Sequence, residues 1–173
     1  MALIVQKFGG TSVGSTERIT AVARRVAAAA SQGHRVVAVV SAMSGETNRL
    51  LALGREVSSA PVERELDALV ASGEQVSAAL VSLALANLGV PARSLLAHQL
   101  GLRTNRQHTR ARIRSIDTGR LNDVLDTGEV AVVAGFQGVD EHGNITTLGR
   151  GGTDTSAVAI AVAMQADLCE IYT

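Results

Sequence analysis

The sequence lacks the features of a secreted, disulfide-stapled or membrane-spanning protein. Its single cysteine, Cys169, lies in an apolar run and cannot form an internal disulfide, which fits a reducing cytoplasm. Residues 1–7 carry no basic leader, so we expect no signal peptide. No uncharged apolar run approaches the roughly 18 residues of a membrane helix, so we expect no membrane partner.

The sequence also gives little sign of a metal site or of nucleic-acid binding. Its four histidines are far apart and show no metal-ligand spacing: His34, His98, His108 and His142. The formal net charge is zero, so bulk attraction to nucleic acid is not indicated. Several arginines do fall between Glu74 and Asp117, a stretch without acidic residues. We interpret that stretch mainly as a solvated face, with anion steering or RNA contact as the alternative.

Lysine is nearly absent, because Lys7 is the only lysine among 16 lysine and arginine residues. A sequence that otherwise uses arginine for its cations has a lysine at this one place, which makes Lys7 a candidate functional residue. Apolar content is high instead: 46% of the 173 residues are hydrophobic and 18% are charged. This composition predicts one folded domain with a sizeable core.

Apolar strands and amphipathic helices alternate along the chain, which predicts a three-layer αβα sandwich with a mostly parallel sheet. Strands are predicted over 2–8, 35–41, 92–97, 112–116, 130–136 and 167–172, with a hairpin turn over 140–144. Helices are predicted from Ser15 or Thr16 to about Ser31, over 46–57, from after Pro61 to Leu88 with a break near Ser72–Gly73, over 118–125 and over 157–166. Ligands of parallel sheets bind at the carboxyl ends of strands. Gly9–Gly10, Ser41 and the loop after Phe136 should therefore converge on one edge.

A glycine turn over residues 149–156 precedes the last apolar helix. Thr153 or Asp154 can cap that helix, because a side-chain oxygen there accepts from the free N–H groups of the first turn. Such a helix start favours an anion, and Arg150 adds a planar fork suited to a carboxylate or phosphate. A capped connection with one surface arginine is the alternative.

A second glycine turn, Gly9–Gly10, follows Lys7 and also precedes a helix. It has neither P-loop nor dinucleotide-binding spacing, and an ordinary strand-to-helix turn is the alternative. Two helix starts, a lysine and an arginine facing one cleft suit a highly anionic transition state such as that of phosphoryl transfer.

Five segments, in order, resemble the aspartate kinases of the amino-acid kinase superfamily. They are residues 7–13 (KFGGTSV), 40–43 (VSAM), 71–74 (ASGE), 135–138 (GFQG) and 148–154 (LGRGGTD). The resemblance covers residues 2–173 and implies a carbamate kinase-like fold. It implies transfer of the γ-phosphoryl group of ATP, with Mg²⁺, to the β-carboxylate of L-aspartate. That reaction is the entry step to lysine, threonine and methionine.

The resemblance also implies roles for individual residues. Lys7 and Asp154 would be catalytic, with Asp154 orienting Lys7 or a magnesium-bound water. The ATP and phosphate set would be Lys7, Phe8, Gly9, Gly10, Thr11, Ser12, Tyr172 and Thr173. The aspartate set would be Ser41, Thr47, Glu74, Arg150, Gly151, Gly152 and Thr153, with Arg150 on the α-carboxylate and Glu74 on the ammonium. No protein ligand to a metal is implied.

Each of these residues also has a purely structural interpretation. Glu74 could favour a helix N-terminus, Ser41 could end a strand, Thr47 could be a first-turn residue and Asp154 could be a cap. No general base is required, because a carboxylate acceptor with a pKa near 3.9 is already ionised at neutral pH.

The resemblance further implies that residues 1–173 are the N-terminal part of a catalytic domain. The nucleotide-binding half, regulatory ACT domains and homo-oligomer contacts would lie in a longer chain. Residues 1–173 alone are then expected to be inactive and to self-associate. The alternatives are a kinase of glutamate, acetylglutamate or a nucleotide monophosphate, or a non-catalytic assembly module.

Overall fold

The computed structural model describes residues 1–173 and contains nine strands and five helices. In chain order they are β1 (Leu3–Phe8), α1 (Thr16–Ser31), β2 (Arg35–Val40), α2 (Glu46–Val57), α3 (Glu63–Asn87), β3 (Ala92–Leu95), β4 (Arg103–Thr104), β5 (Ile113–Ser115), α4 (Thr118–Asp126), β6 (Val130–Ala134), β7 (Gln137–Val139), β8 (Ile145–Thr147), α5 (Gly152–Ala163) and β9 (Leu168–Tyr172).

The main sheet has the strand order β3-β6-β2-β1-β9, and every neighbouring pair in it is parallel. Its three inner strands, β6, β2 and β1, are mostly apolar and buried because helices cover both faces, whereas the edge strands β3 and β9 are partly exposed. Side chains alternate along each strand: Val36 and Val40 pack with α1 and α3, whereas Val37 and Val39 pack with α4 and α5. The predicted three-layer αβα sandwich is confirmed.

Helix α1 shows why this part of the fold was predictable. Ser15 is its N-cap, and its side chain accepts a hydrogen bond from the backbone N–H of Arg18. The buried residues of α1 recur at helical spacing, as the sequence predicted: they are Ile19, Val22, Ala23 and Val26. Both the start of the helix and its buried face are as the sequence predicted.

The predicted break near Ser72–Gly73 is wrong, because α3 runs without interruption from Glu63 to Asn87. Gly73 serves close packing: a Cβ built on it would lie 2.8 Å from the Cβ of Ala42, in the loop after β2. Ser72 makes no cap, since its hydroxyl donates to the carbonyl of Leu69 one turn back. The glycine lets the helix pass against the loop that leads into α2.

The predicted cap of α5 is also wrong. The helix begins at Gly152, and its N-cap is Gly151 in the left-handed region (φ 68°), with no side-chain hydrogen bond. Thr153 is 8% exposed and packs against Gly135, while the carboxylate of Asp154 contacts Lys7. Neither side chain turns back to the helix end.

A smaller four-stranded sheet, in the order β5-β4-β7-β8, lies beside the main one. The hairpin between β7 and β8 turns at residues 140–144, as predicted, and Asp140 accepts the backbone N–H groups of His142 and Asn144. The preceding strand β6 ends at Ala134 rather than at Phe136. Phe136 instead adopts φ 72°, and its N–H donates to the hydroxyl of Ser156.

By length and composition, α3 is the one helix that could cross a membrane. It packs against α1 and the main sheet, with Val81 and Leu85 fully buried. The core helices of soluble proteins have the same length and composition, so this is weak evidence for a span.

Candidate active site

A cleft of about 670 Å³ lies at the carboxyl ends of the main-sheet strands. The lining comes from the loop after β1, the loop after β2, the first turn of α2, Glu74 of α3 and the turn that leads into α5, together with Phe136 and Thr173. Because the strands are parallel, these segments meet although they are far apart in sequence. The predicted convergence of the strand ends is therefore present.

Lys7 lies near the carboxyl end of β1, an inner strand of the main sheet, and lines this cleft. Its ammonium lies 2.7 Å from a carboxylate oxygen of Asp154, which is half exposed, whereas the lysine side chain is 10% exposed. A Cβ on Gly9 would lie 3.2 Å from the Lys7 Nζ atom, so the glycine leaves room for the charge. The cleft thus holds a preorganised cation whose position is fixed by one carboxylate.

Unpaired backbone N–H groups border the same cation. Those of Gly10 and Thr11, and those of Gly151, Thr153 and Asp154 at the start of α5, donate no hydrogen bond within the chain. Free amides at a helix start favour an anion.

The N–H groups of Gly9 and Gly152, two glycines that the resemblance places in the site, are not among these free donors. The Gly9 N–H donates to the carbonyl of Tyr172, and the Gly152 N–H donates to that of Gly149. The free donors are the neighbouring residues instead.

Glu74 is a buried carboxylate in the wall of the cleft, 3% exposed. Its Oε1 accepts the N–H of Ala42 at 3.1 Å, whereas its buried Oε2 has no hydrogen-bond partner. Burial raises the pKa of Glu74 from its ordinary value of 4.5 to about 7. A cation placed against Oε2 would offset this burial cost and complete the site.

The raised pKa gives a test of the environment of Glu74. Its neutral form is favoured in the folded protein, so its contribution to the free energy of unfolding is complete below pH 4.5 and is lost as the pH rises through about 7. Relative to Glu74→Gln, the wild-type chain should lose about 3 kcal/mol of stability between pH 4 and pH 8. Urea unfolding of both proteins across that range measures it.

Glu63→Gln, at the exposed start of the same helix, controls for the loss of one carboxylate. Parallel stability curves for the wild type and Glu74→Gln would contradict the prediction and would mean that Oε2 is solvated or paired.

Arg150 lies on the other side of the cleft, in the turn before α5. Its side chain is exposed and makes no hydrogen bond or ion pair within the chain. The turn that carries it is tight, since Gly149 and Gly151 on either side have φ 82° and 68°. A free guanidinium can bind a carboxylate with two parallel hydrogen bonds. The cleft therefore holds two cationic side chains, Lys7 and Arg150, and two carboxylates, Asp154 and Glu74. Asp154 pairs with Lys7, which leaves Arg150 and Glu74 without a charged partner.

Comparison with known proteins places these residues in a family. The model of the amino acid kinase family matches residues 2–173. The chain belongs to the amino acid kinase family. An aspartate kinase of Stutzerimonas stutzeri is 58% identical over 173 residues, which are 100% of this chain and 42% of that protein. The chain therefore spans less than half of the length of this curated relative.

Two solved structures share the fold of this amino acid kinase chain. The aspartate kinase of Synechocystis is 52% identical with a TM-score of 0.86, over 99% of this chain and 28% of that one. Aspartokinase III of E. coli, in complex with aspartate and ADP, is 26% identical with a TM-score of 0.88, over 99% of this chain and 49% of that one.

Most of the predicted site residues of this amino acid kinase chain line the cleft. They are Lys7, Gly9, Gly10, Thr11, Ser41, Thr47, Glu74, Arg150, Gly151, Gly152, Thr153, Asp154 and Thr173. Phe8, Ser12 and Tyr172 lie outside it. Phe8 and Tyr172 stack with ring centroids 5.1 Å apart, and Ser12 donates to the carbonyl of Thr173 on the adjoining surface.

Several lining residues were not predicted individually. Ser44 and Asn48 sit at the entrance of α2, and the Phe136 ring contacts the start of α5. A Cβ on Gly152 would lie 2.6 Å from that ring, so the glycine is needed for this contact. Small polar residues such as Ser44 and Asn48 are common in loops that enter helices, so their sequence does not mark them as site residues. No local sequence pattern predicts that Phe136 adopts φ 72°.

Proposed function

We propose that the chain is the N-terminal part of the catalytic domain of an aspartate kinase. One observation carries the proposal: Glu74 with its unpartnered Oε2 and the unpaired Arg150 border one cleft. A buried carboxyl group with a free oxygen and a free planar cation complement the ammonium and α-carboxylate of an amino acid, and the incoming ammonium would favour the ionised form of Glu74. Lys7, beside them, suits a phosphoryl group. The names and sequences of the relatives support the same conclusion.

The reaction proposed is attack of a β-carboxylate oxygen of L-aspartate on the γ-phosphorus of ATP. The bond from that phosphorus to the bridging oxygen breaks, and ADP leaves. No proton has to move, because the acceptor carboxylate is ionised at neutral pH. The chain's task is therefore to position the two substrates and to neutralise charge.

Each side chain has a part in that task. Lys7, held by Asp154, neutralises the oxygens of the transferring phosphoryl group, and the free amides of Gly10 and Thr11 assist. Arg150 binds the α-carboxylate and Glu74 the ammonium. The hydroxyls of Ser41 and Thr47 donate hydrogen bonds to the amino acid, with Gly151, Gly152 and Thr153 closing its side of the cleft.

The proposed nucleotide site begins at Gly9, Gly10, Thr11 and Ser12 and continues past Tyr172 and Thr173, with Phe8 supporting it from below. The chain has no cluster of three or more residues that could hold a metal ion. This fits Mg²⁺, which is commonly held by one or two carboxylates together with substrate phosphates. Asp154 is the carboxylate beside the phosphate loop that would hold it through water, and Mg²⁺ would supply further charge neutralisation.

The remaining properties follow from this activity. The longer protein would carry the other half of the nucleotide site and regulatory domains, and it would assemble as a homo-oligomer. It would act in the cytoplasm, at the entry to lysine, threonine and methionine synthesis.

An acceptor screen with the full-length enzyme tests the proposal. MgATP is offered with L-aspartate, L-glutamate, N-acetyl-L-glutamate or a nucleoside monophosphate, and ADP release is followed. Hydroxylamine converts an acyl phosphate into a hydroxamate that identifies the product. We expect both signals with L-aspartate only. Turnover of N-acetyl-L-glutamate, which has no ammonium for Glu74, would overturn the assignment, and calorimetry that detects neither aspartate nor ATP would indicate an assembly module.

A further inference from the structure

Asp67 is a fully buried carboxylate outside the cleft, in the first half of α3, and is 1% exposed. It accepts from the Nδ1 of His108 at 2.8 Å and from the N–H of Thr109 with both oxygens at 3.0 Å. It also accepts from the hydroxyl of Thr147 at 2.6 Å and from the N–H of Thr147 at 3.1 Å. Both oxygens are thus saturated by donors from two distant segments of the chain.

These two segments meet at the turn that precedes α5. Thr147 is the last residue of β8, and its carbonyl accepts the N–H of Ala111 at 2.8 Å. Its N–H, hydroxyl and carbonyl groups are therefore all hydrogen-bonded. Thr109 adopts φ 69°, and its carbonyl lies 3.2 Å from the position of a Cβ on Gly149. Gly149, with φ 82°, therefore rests on a backbone that Asp67 fixes.

Arg150 follows Gly149 directly, and Glu74 lies seven residues after Asp67 on the same helix. Residues seven apart share a helix face. One rigid helix therefore carries Glu74 and, through Asp67, holds the turn that carries Arg150. A carboxylate that accepts hydrogen bonds from backbone and side-chain donors is a strong link between elements.

We propose that Asp67 is a positioning residue of the acceptor site: it sets the spacing between Arg150 and Glu74, and hence the fit of an amino acid's carboxylate and ammonium. This inference rests on the proposed function. Asp67 touches no substrate and acts only through the turn at Gly149.

Asp67→Asn keeps the shape of the side chain but replaces one accepting oxygen by an NH₂ donor. That donor faces N–H and O–H groups that already donate, so part of the link is lost. In the full-length enzyme we expect KM for aspartate to rise tenfold or more. KM for ATP should change less than twofold and kcat less than threefold, because Lys7 and Asp154 are not held by this link.

Asp140→Asn is the matched control. Asp140 is equally buried at 1% exposed and accepts three hydrogen bonds that close the hairpin turn over 140–144. Its carboxylate also lies 3.9 Å from the Nε2 of His108, which is too far for a hydrogen bond, and it accepts no hydrogen bond from Thr109 or Thr147. We expect it to lower the melting temperature and to leave KM for aspartate unchanged. Equal rises in this KM for both variants would show that Asp67 acts only as a general stabiliser, and would overturn the proposal.

A double-mutant cycle with Arg150→Lys shows whether Asp67 acts through Arg150. If it does, Asp67→Asn should change KM for aspartate less than twofold when Arg150→Lys is already present. If the rise in KM for aspartate in the double variant equals the product of the rises in the two single variants, the proposal is overturned. Wild-type enzyme that releases no ADP with aspartate would refute the proposed function and this inference with it. Active wild type with an unchanged KM in Asp67→Asn would refute the inference alone.

Thr147→Val replaces the test if Asp67→Asn does not fold, since it removes only the hydroxyl that donates to Asp67. A rise of threefold or more in KM for aspartate, restored by Thr147→Ser, is expected. An unchanged KM for Thr147→Val would then overturn the proposal.

Discussion

Replacing Lys7 with methionine in the full-length enzyme is expected to lower kcat by 100-fold or more while the protein still folds. Lys7 is the only lysine of the chain, and its ammonium lies 2.7 Å from Asp154 in a cleft bordered by free amides. Loss of one preorganised charge contact costs about 3 kcal/mol or more of transition-state stabilisation. The fold should survive because Asp154 is half exposed and can be solvated once its partner is gone. Steady-state kinetics and the melting temperature measure both effects.

Arg35→Met is the matched control for Lys7→Met. It breaks an ion pair of similar length, 2.9 Å to Asp126, at the start of the neighbouring strand β2. That end of the sheet is opposite the cleft, so kcat should be unchanged. A near-normal kcat in folded Lys7→Met would remove Lys7 from the catalytic role.

Replacing Arg150 with lysine is expected to raise KM for aspartate tenfold or more and to change KM for ATP less than twofold. A guanidinium binds a carboxylate through two parallel hydrogen bonds, whereas an ammonium is a point charge that cannot reproduce this fork. Arg150 is exposed and makes no side-chain hydrogen bond or ion pair within the chain, so the substitution should leave the stability unchanged. Kinetics with each substrate varied separately give the two constants.

Arg106→Lys controls for the exchange of an arginine as such. Arg106 is 63% exposed and pairs with Glu141, away from the cleft. Neither KM should change in this variant. If KM for aspartate stayed normal in Arg150→Lys as well, Arg150 would not bind the acceptor carboxylate.

Local sequence signals determined the main sheet and most helices. Continuous apolar runs such as that of β2, which comes shortly after Gly33, are typical of buried parallel strands, and their alternation with helices predicts a parallel sheet. The serine before α1 and the glycine after it define that helix within a residue. These signals depend on neighbours in sequence, so no tertiary contact was needed to interpret them.

The two wrong predictions concern residues whose partners are distant in sequence. Gly73 looked like a helix break, but it allows Ala42 to approach α3. The local pattern favoured a cap at Asp154, but its carboxylate pairs with Lys7 near the other end of the chain, which is the contact that the family resemblance implied. A glycine or an aspartate has the same local preferences in either role, so only the packed structure distinguishes them.

The sequence by itself predicted a site for anionic ligands, through a single lysine beside one glycine turn and an arginine inside another. It also predicted that the two glycine turns lie at the same edge of the main sheet. Only the tertiary structure decided which backbone amides remain free, that Glu74 has a buried oxygen without a partner, and that Asp67 ties α3 to the turn before Arg150. Burial and hydrogen-bond saturation depend on every segment that packs around a group, and no local pattern of residues carries that information.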